Sequence, residues 1–186
     1  MKALLLSALL GSSSALAPAP SGAPTPTLSE LLLSLGQAQI LANEDPELGI
    51  PKLEAVLESL VQHPEALAGD DAAQRARIDA LLILARAKLN TGDETGAADS
   101  LDEAIRCAHG AEIDAASLGP AMSELEAGRR EALSARGTLR VQCTVPCRIY
   151  VDERETPGEA ELPEGQYRVH IVSADGQYPD LDTEVE

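Results

Sequence analysis

The spacing of apolar residues changes from a helical period to strict alternation at Gly137. Before this point the apolar residues are mostly Leu and Ala, which favour helices. After it, apolar and charged residues alternate, as on strands with one buried face. We therefore expect an α+β protein of two domains. Antiparallel α-helical hairpins should occupy 28–136, and a small antiparallel β-sandwich or sheet should occupy 137–186.

The N-terminal residues have the layout of an export signal followed by a linker. Residues 1–17 combine one lysine, a short apolar run and a small-residue end, and cleavage after Ala15 or after Ala17 fits this layout. Residues 18–27 alternate Pro with small residues and predict an extended linker. We expect an exported protein, periplasmic or at the cell surface, that does not span a membrane after cleavage. A retained helix is the other interpretation of 1–17.

Charge and motif content exclude several classes of function. The formal net charge is −17 and neither part of the chain is basic, so nucleic acid and anionic membranes are poor partners. Nucleophile-elbow, zinc-protease, Walker and Rossmann motifs do not occur, and the three histidines lack the spacing of metal ligands. We expect no catalytic residues, no cofactor and no metal.

Caps and prolines predict the helix boundaries. Thr27 and Glu30 form a capping-box pattern that opens the first helix, whose apolar positions include Ile40. Pro51 fits the first turn of a second helix over 51–62.

Two later helices also have start signals. Asp70 or Asp71 can cap the helix that follows, and Pro120 opens a last helix over about 120–135. The arginines at 129, 130 and 136 suit the negative end of this last helix. The alternative interpretation is that they bind a phosphate or a carboxylate.

Residues 76–110 have the pattern of two closely packed helices. Gly92 supplies the positive φ that ends the first helix, and Asp93 or Thr95 can cap the second. Small residues recur where the helices have to approach each other, and larger ones fill the gaps around them. The packing positions are Leu81, Leu84, Ala85, Gly92, Ala97, Leu101 and Ala104.

This pattern resembles a tetratricopeptide repeat. It departs from the family at Lys88, where an aromatic residue is usual, and at His109, near the place of the terminal proline. A neighbouring repeat at an offset of about 34 residues is also missing. The resemblance implies a concave face for a peptide or a partner protein. A plain helical hairpin is the other interpretation.

The C-terminal part reads "GTLRV", "VPCRIYVDE" and "TPGEAELPEGQYRVHIV" in that order. Over 137 to about 175 it resembles the PEGA domain, a small β-module of bacterial envelope proteins. Glu153 stands where that family has glycine, and Cys147 lies near its usual Gly-Ala. The resemblance implies a surface-attachment module. The predicted inward residues are Leu139, Val141, Ile149, Val151, Tyr167, Val169 and Ile171.

Cys143 and Cys147 flank the three-residue loop 144–146. If this loop closes a hairpin, the two residues face each other within disulfide range. The spacing favours a structural disulfide, because a redox pair needs C-x-x-C and zinc needs further ligands. Free thiols and a metal or redox pair are the alternatives. We expect Cys107 to be a small buried residue or one half of an intermolecular disulfide.

Two functional hypotheses follow. The first is a non-enzymatic exported envelope protein, an adaptor scaffold whose helices engage a protein or peptide partner. The second is a carbohydrate- or cell-wall-binding module that would hold a surface polysaccharide against an exposed ring, for which Tyr178 is the candidate. The chain also fits a fragment of a longer protein, because it ends within a predicted strand at "TEVE".

Overall fold

The computed structural model describes residues 25–186. The predicted signal peptide over 1–17 and most of the predicted linker over 18–27 lie outside the described residues. The described chain is α+β, with helices first and antiparallel strands after them. Among residues 25–186, no helix has the length and apolar character needed to cross a membrane.

Residues 25–186 contain six α-helices, which form the N-terminal part. They are α1 (Leu28–Glu44), α2 (Pro46–Val61), α3 (Pro64–Ala68), α4 (Asp71–Asn90), α5 (Glu94–Cys107) and α6 (Pro120–Ala132). A short 3₁₀ turn, Ala116–Leu118, precedes α6.

Two antiparallel hairpins, α1–α2 and α4–α5, organise the helices, and α4 packs against both helices of the first hairpin. One apolar core of Leu and Ala residues runs through them. The hairpins are close-packed because small residues stand at the contacts. A side chain placed on Gly49 of α2 would overlap the backbone of Ala42 of α1.

Most of the helix starts are confirmed. Thr27 and Glu30 form the capping box of α1, Asp70 caps α4, and Asp93 caps α5. The prediction for the second helix was wrong, because α2 begins at Pro46 and contains Pro51 in its interior.

The early start of α2 has a local cause. The Asp45 side chain accepts a hydrogen bond from Leu48 N, and Pro46 occupies the first turn, so this pair provides the stronger initiation signal. Two further differences concern the same region. A further helix, α3, follows the predicted end of the second helix at residue 62, and Ile40 is 59% exposed, so it lies outside the core.

The strands form two antiparallel sheets. Their bounds are β1 (Arg136–Arg140), β2 (Cys147–Val151), β3 (Arg154–Glu155), β4 (Glu159–Pro163), β5 (Tyr167–Ser173) and β6 (Leu181–Val185). One sheet has two strands in the order β1-β4, and the other has four in the order β3-β2-β5-β6.

The inner faces of the two sheets meet in a second, smaller apolar core. Ile149, Val151, Tyr167 and Val169 are its buried members, and Leu139 packs against them from β1. Val141 and Ile171 are also partly buried at this core, so the predicted inward positions are confirmed. These buried residues keep the two-residue spacing of one sheet face, and Tyr150 between Ile149 and Val151 is buried as well.

The hairpin expected around the two C-terminal cysteines does not form. β1 pairs with β4, with Leu139 opposite Ala160, while β2 lies between β3 and β5. The loop 141–146 therefore crosses from one sheet to the other. Cys143 and Cys147 still approach, with Cα atoms 6.4 Å apart and Sγ atoms at the bonded distance of 2.01 Å. The disulfide closes this crossover rather than a hairpin turn.

A candidate binding groove beside a buried charge network

Arg77 is a fully buried cation at the junction of the helices and the strands. It lies four residues before Leu81 and seven before Leu84, so helical geometry places it on the apolar face of α4. Its side chain has 0% exposure. Nη2 lies 2.7 Å from Glu103 Oε1 of α5, and Nη1 lies 2.5 Å from Glu153 Oε2. One guanidinium thereby links two helices to the β part.

Glu153 reaches Arg77 from the tight turn between β2 and β3. Val151 pairs with Arg154, so Asp152 and Glu153 are the two central residues of the turn. Their φ angles are 44° and 59°. Such turns favour Gly, Asn or Asp at both places, which makes Glu153 the unusual residue. Its ion pairs compensate for a backbone conformation that a long side chain rarely adopts.

The turn is also held through its backbone. Gln74 Nε2 donates a hydrogen bond to the carbonyl oxygen of Glu153 at 2.6 Å, and Arg77 Nη1 donates to the carbonyl oxygen of Asp152 at 3.2 Å. Both donors are buried on α4. The turn therefore docks against α4 by side-chain and main-chain contacts together.

Arg168 of β5 completes the network. Its Nε lies 2.9 Å from Glu153 Oε1, and its Nη2 lies 2.8 Å from Glu103 Oε1. Burial by itself would raise the pKa of Glu103, but the charges of Arg77 and Arg168 outweigh it and lower that pKa. Glu103 is therefore an ionised acceptor shared by two arginines.

Asp152 behaves differently from Glu103 although it lies in the same network. Its ion pairs are long, at 3.8 Å to Arg168 and 3.6 Å to Arg106. Burial therefore dominates and raises the pKa of Asp152, against the opposing charge of Arg168. Its Oδ2 and the Nε of Arg106 are both buried without a hydrogen-bond partner in the described part of the chain. Asp152 and Arg106 are therefore less well paired than the rest of the network.

Cys107 lies next to the network on α5 and is a buried free thiol. Burial raises its pKa to about 12, with the charge of Arg77 acting in the opposite direction. A thiol that stays protonated is a poor nucleophile. Cys107 is only 1% exposed and therefore packs in the core as a small apolar residue.

A groove of about 470 Å³ lies on the surface next to this network. α2, α4 and α5 form its walls, and β5 and β6 contribute one residue each at one end. Leu57, Leu81 and Leu84 lie at its base. Lys88 lines the groove near the end of α4, whereas Arg168 lies near the Arg77 end. Along α4 the lining residues run from Leu81 to Lys88, which is seven residues of helix or about 10 Å.

The groove is acidic at its rim. Lys88 is already paired, because its Nζ lies 2.7 Å from Glu54 Oε1 and donates to Ser100 Oγ at 3.3 Å. Three further rim carboxylates form no ion pair with any residue of 25–186. These are Glu58, Asp99 and Glu184, and all three are exposed.

Six of the seven predicted tetratricopeptide-like packing residues are buried in the described structure, with exposures of 0–4%. Gly92 is exposed with φ of 83° and ends the α4 region. Leu81 and Leu84 also line the groove, while the small residues pack inside the helical core or between α4 and α5. Cys143 and Cys147 lie elsewhere, on the crossover loop. Among residues 25–186, no group of three or more His, Cys, Asp or Glu side chains is arranged to hold a metal ion.

Sequence reasoning missed the charge network. One signal was available for Arg77, because a cation on the apolar stripe of a helix has to be paired if it is buried. A second signal was Glu153 in a two-residue turn. Neither signal identifies the partner, since Arg77, Glu103, Glu153 and Arg168 meet only after the helices and strands have packed.

The arginines of the last helix are paired separately. Arg129 forms an ion pair with Asp102 of α5, and Arg130 pairs with Glu126 one turn earlier on α6. Arg129 therefore fastens α6 to α5 and is not free to bind a ligand.

No family model matches this chain, and no curated protein or solved structure shows significant similarity to it. The resemblances to tetratricopeptide repeats and to the PEGA domain accordingly remain predictions. The functional argument has to rest on the groove and on the residues that form it.

Proposed function

We propose that this protein is a non-enzymatic adaptor whose helical groove binds a short segment of a partner protein. The observation that carries the proposal is the combination of a leucine base and an unpaired acidic rim in one groove. Apolar side chains of a ligand would cover Leu57 and Leu84, and cations of the ligand would pair with the rim.

The dimensions of the groove limit the ligand. A length of about 10 Å along α4 accommodates about three residues of an extended chain or two turns of a helix. The charge of the rim also limits which side chains the bound segment can carry. Glu58, Asp99 and Glu184 lack cationic partners among residues 25–186, so a segment that alternates Lys or Arg with Leu-like residues fits best.

The buried network supports this proposal by making the groove rigid. Arg168 and Glu184 reach the groove from the β part, whereas all other lining residues come from the helices or from Gln62. Arg77 and Glu153 hold the two parts together below the groove. A site with fixed walls orders fewer groups when it binds a ligand, which favours affinity.

Two matched peptides test the proposal. One has the repeating sequence Lys-Leu and the other Glu-Leu, with equal length and a fluorescent label. We expect the lysine peptide to bind the full chain at least about tenfold more tightly in fluorescence anisotropy. The triple variant E58K/D99K/E184K should reverse this preference.

The matched control changes the same amount of charge outside the groove. E112K/E124K/E131K alters three exposed carboxylates of the α5–α6 connection and α6. It should retain the preference for the lysine peptide. Equal effects of the two triple variants would show that net charge, rather than the groove, drives binding and would refute the proposal.

The same proposal includes export and attachment. The signal-like residues 1–17 and the disulfide between Cys143 and Cys147 support action in the periplasm or at the cell surface, where disulfides persist. The β part would attach the adaptor to the envelope, in keeping with the PEGA-like pattern. Secretion of the full chain fused to a periplasm-dependent reporter tests export.

Carbohydrate binding is the second candidate. Tyr178 is 55% exposed, as a stacking platform requires, whereas Tyr150 and Tyr167 are buried. One exposed ring gives a smaller platform than sugar-binding sites with several aromatic side chains. Y178A should abolish retention on polysaccharide resin if this candidate is correct, and it should leave peptide binding unchanged.

A further inference from the structure

Three arginines meet at a second, separate pocket of about 220 Å³. Its walls come from the ends of α5 and α6 and from β1 and β4. Arg106, Arg130 and Arg136 line it together with His109. Glu161 is the one carboxylate residue of its lining within 25–186. A surplus of cations is unexpected in a chain whose formal net charge is −17.

Much of the hydrogen-bonding capacity of these guanidinium groups is unused. Arg130 donates from Nε to Glu126 at 2.7 Å, and Arg136 donates from Nη1 to the carbonyl oxygen of Glu161 at 3.5 Å. The Nε of Arg106 is buried and has no hydrogen-bond partner in the described part of the chain. That Nε faces Asp152 Oδ2 at 3.6 Å and is not open to a ligand, so the donors that the pocket offers are the remaining N–H groups of the three guanidiniums.

Two neighbours describe the surroundings of these charges, and one of them, Tyr167, is influenced by both Arg106 and Arg136. The Arg106 guanidinium lies 5.6 Å from the centre of the Tyr167 ring. Burial raises the pKa of Tyr167 to about 12, against the opposing charges of both Arg106 and Arg136. On the other side, partial burial and the charge of Arg154 lower the pKa of His109 to about 4, although the residue keeps an exposed surface. His109 is therefore neutral at pH 7.

The helix dipoles explain why Arg106 and Arg130 are each favourable at their own helix end, but they do not explain why the two arginines lie at the same pocket. Arg106 and Arg130 each stand in the last turn of their own helix, where a cation is favourable. This does not explain why the two helix ends meet Arg136 of β1 around one pocket. Asp152 and Glu126 pair with Arg106 and Arg130, but Arg136 forms no ion pair with any residue of 25–186, so an anion between the three would complete their pairing.

We propose that this pocket binds a small oxyanion, a phosphate or carboxylate group, through Arg106, Arg130 and Arg136. The planar guanidinium donors match the paired oxygens of either group. Ile105, Leu133 and Leu162 form apolar walls beside the arginines, which suits an oxyanion carried on a small organic molecule. The ligand would connect the ends of α5 and α6 to the two-stranded sheet.

Histidine NMR signals provide the test, because the chain has three histidines. Inorganic phosphate is titrated into the full chain at pH 7 with ionic strength held constant by NaCl, and a parallel titration uses acetate. The Cε1–H signal of His109 should shift until it saturates. The signals of His63 and His170 should shift no more than they do when sodium chloride alone is added. An anion beside His109 should also raise its measured pKa, because negative charge favours the imidazolium.

Three variants decide the outcome. R136Q and R130Q should each raise the dissociation constant about tenfold, because each removes charge-assisted hydrogen bonds. R140Q is the matched control on β1, since Arg140 is 68% exposed and pairs with Glu159 outside the pocket, and it should leave binding within about twofold.

Tighter binding of phosphate or of acetate identifies the ligand group, and either result supports the pocket. The proposal is overturned if neither anion shifts His109 saturably, or if R136Q and R140Q behave alike. Circular dichroism checks that each variant is folded. Arg136 is exposed, so R136Q does not disturb the core.

Discussion

Arg77 of α4 and Glu153 of the β2–β3 turn form a buried ion pair, with 2.5 Å between Nη1 and Oε2. The side chains are 0% and 4% exposed. Apart from this pair and its neighbours, the helices and the strands have separate apolar cores. The polar network therefore forms the buried, charged part of the contact between them, beside an exposed ion pair of Arg148 with Glu65 and contacts of α3 with β2 and β3. It also explains why a glutamate stands in a turn that favours glycine.

Removal of Arg77 should be strongly destabilising. R77M leaves the two carboxylates Glu103 and Glu153 with Arg168 as their one remaining cation within the network, and we expect the free energy of unfolding to fall by about 3–5 kcal/mol in urea titrations followed by circular dichroism. The double variant R77M/E153M should recover part of this loss, because no charge then stays buried alone. R140M removes an exposed pair and should cost about 0–1 kcal/mol. An R77M effect as small as that of R140M would contradict the role of the network.

Glu103 should make stability depend on pH in the acidic range. Its pKa in the folded protein is lowered from 4.5, so its contribution is fully present above about pH 4.5 and is lost as the pH falls through the folded value. Asp152 opposes this trend, because its raised pKa makes ionisation unfavourable as the pH rises from 3.8 through its folded value.

The test of this pH effect is the difference between E103Q and the unmodified chain. We expect E103Q to lose about 2–3 kcal/mol at pH 7, since one acceptor of two arginines is gone, and to lose less than the unmodified chain on acidification below pH 4.5. E159Q, at a carboxylate that is 61% exposed, serves as the control. Parallel pH curves for E103Q and the unmodified chain would refute the prediction.

Two glycines of the first helical hairpin should respond oppositely to alanine. A Cβ on Gly49 would overlap the backbone of Ala42, so G49A should destabilise the protein by about 1–3 kcal/mol or more. A Cβ on Gly36 has no heavy atom within 4 Å, and G36A should stabilise it by about 0.5–1 kcal/mol. Thermal unfolding of both variants checks the close packing of α1 on α2. If both changes have the same sign, this contact is not as tight as the structure indicates.

The disulfide should stabilise the protein without any role in turnover. C143S/C147S should lower the free energy of unfolding by about 1–3 kcal/mol, because the short loop constrains the unfolded chain only modestly. A reductant should destabilise the unmodified chain by the same amount and leave the double variant unchanged. Sensitivity of the double variant to reductant would show that the effect has another source.

Local signals in the sequence predicted the helices well. Thr27, Asp70 and Asp93 act through neighbouring residues, so their capping roles can be recognised without the fold. Pro51 misled the prediction, because a proline that usually starts a helix lies inside α2 after the stronger start at Asp45.

Strand pairing and the charge network depend on the whole fold. Alternation marked Leu139 and Val151 as inward residues, yet it did not show that β1 pairs with β4 instead of β2. Such pairing brings together segments that are distant in sequence, and any inward-facing strand satisfies the pattern. The same limit applies to Arg77, whose burial was readable but whose partners on α5 and in the β2–β3 turn were not.

An NMR shift map of the lysine-leucine peptide on the ¹⁵N-labelled chain locates the binding site residue by residue. If the groove binds the peptide, the largest backbone shifts fall at Leu57, Lys88, Asp99 and Glu184 together. Binding in the groove is contradicted if the peptide leaves these signals unchanged, or if the shifts cluster around Tyr178 instead.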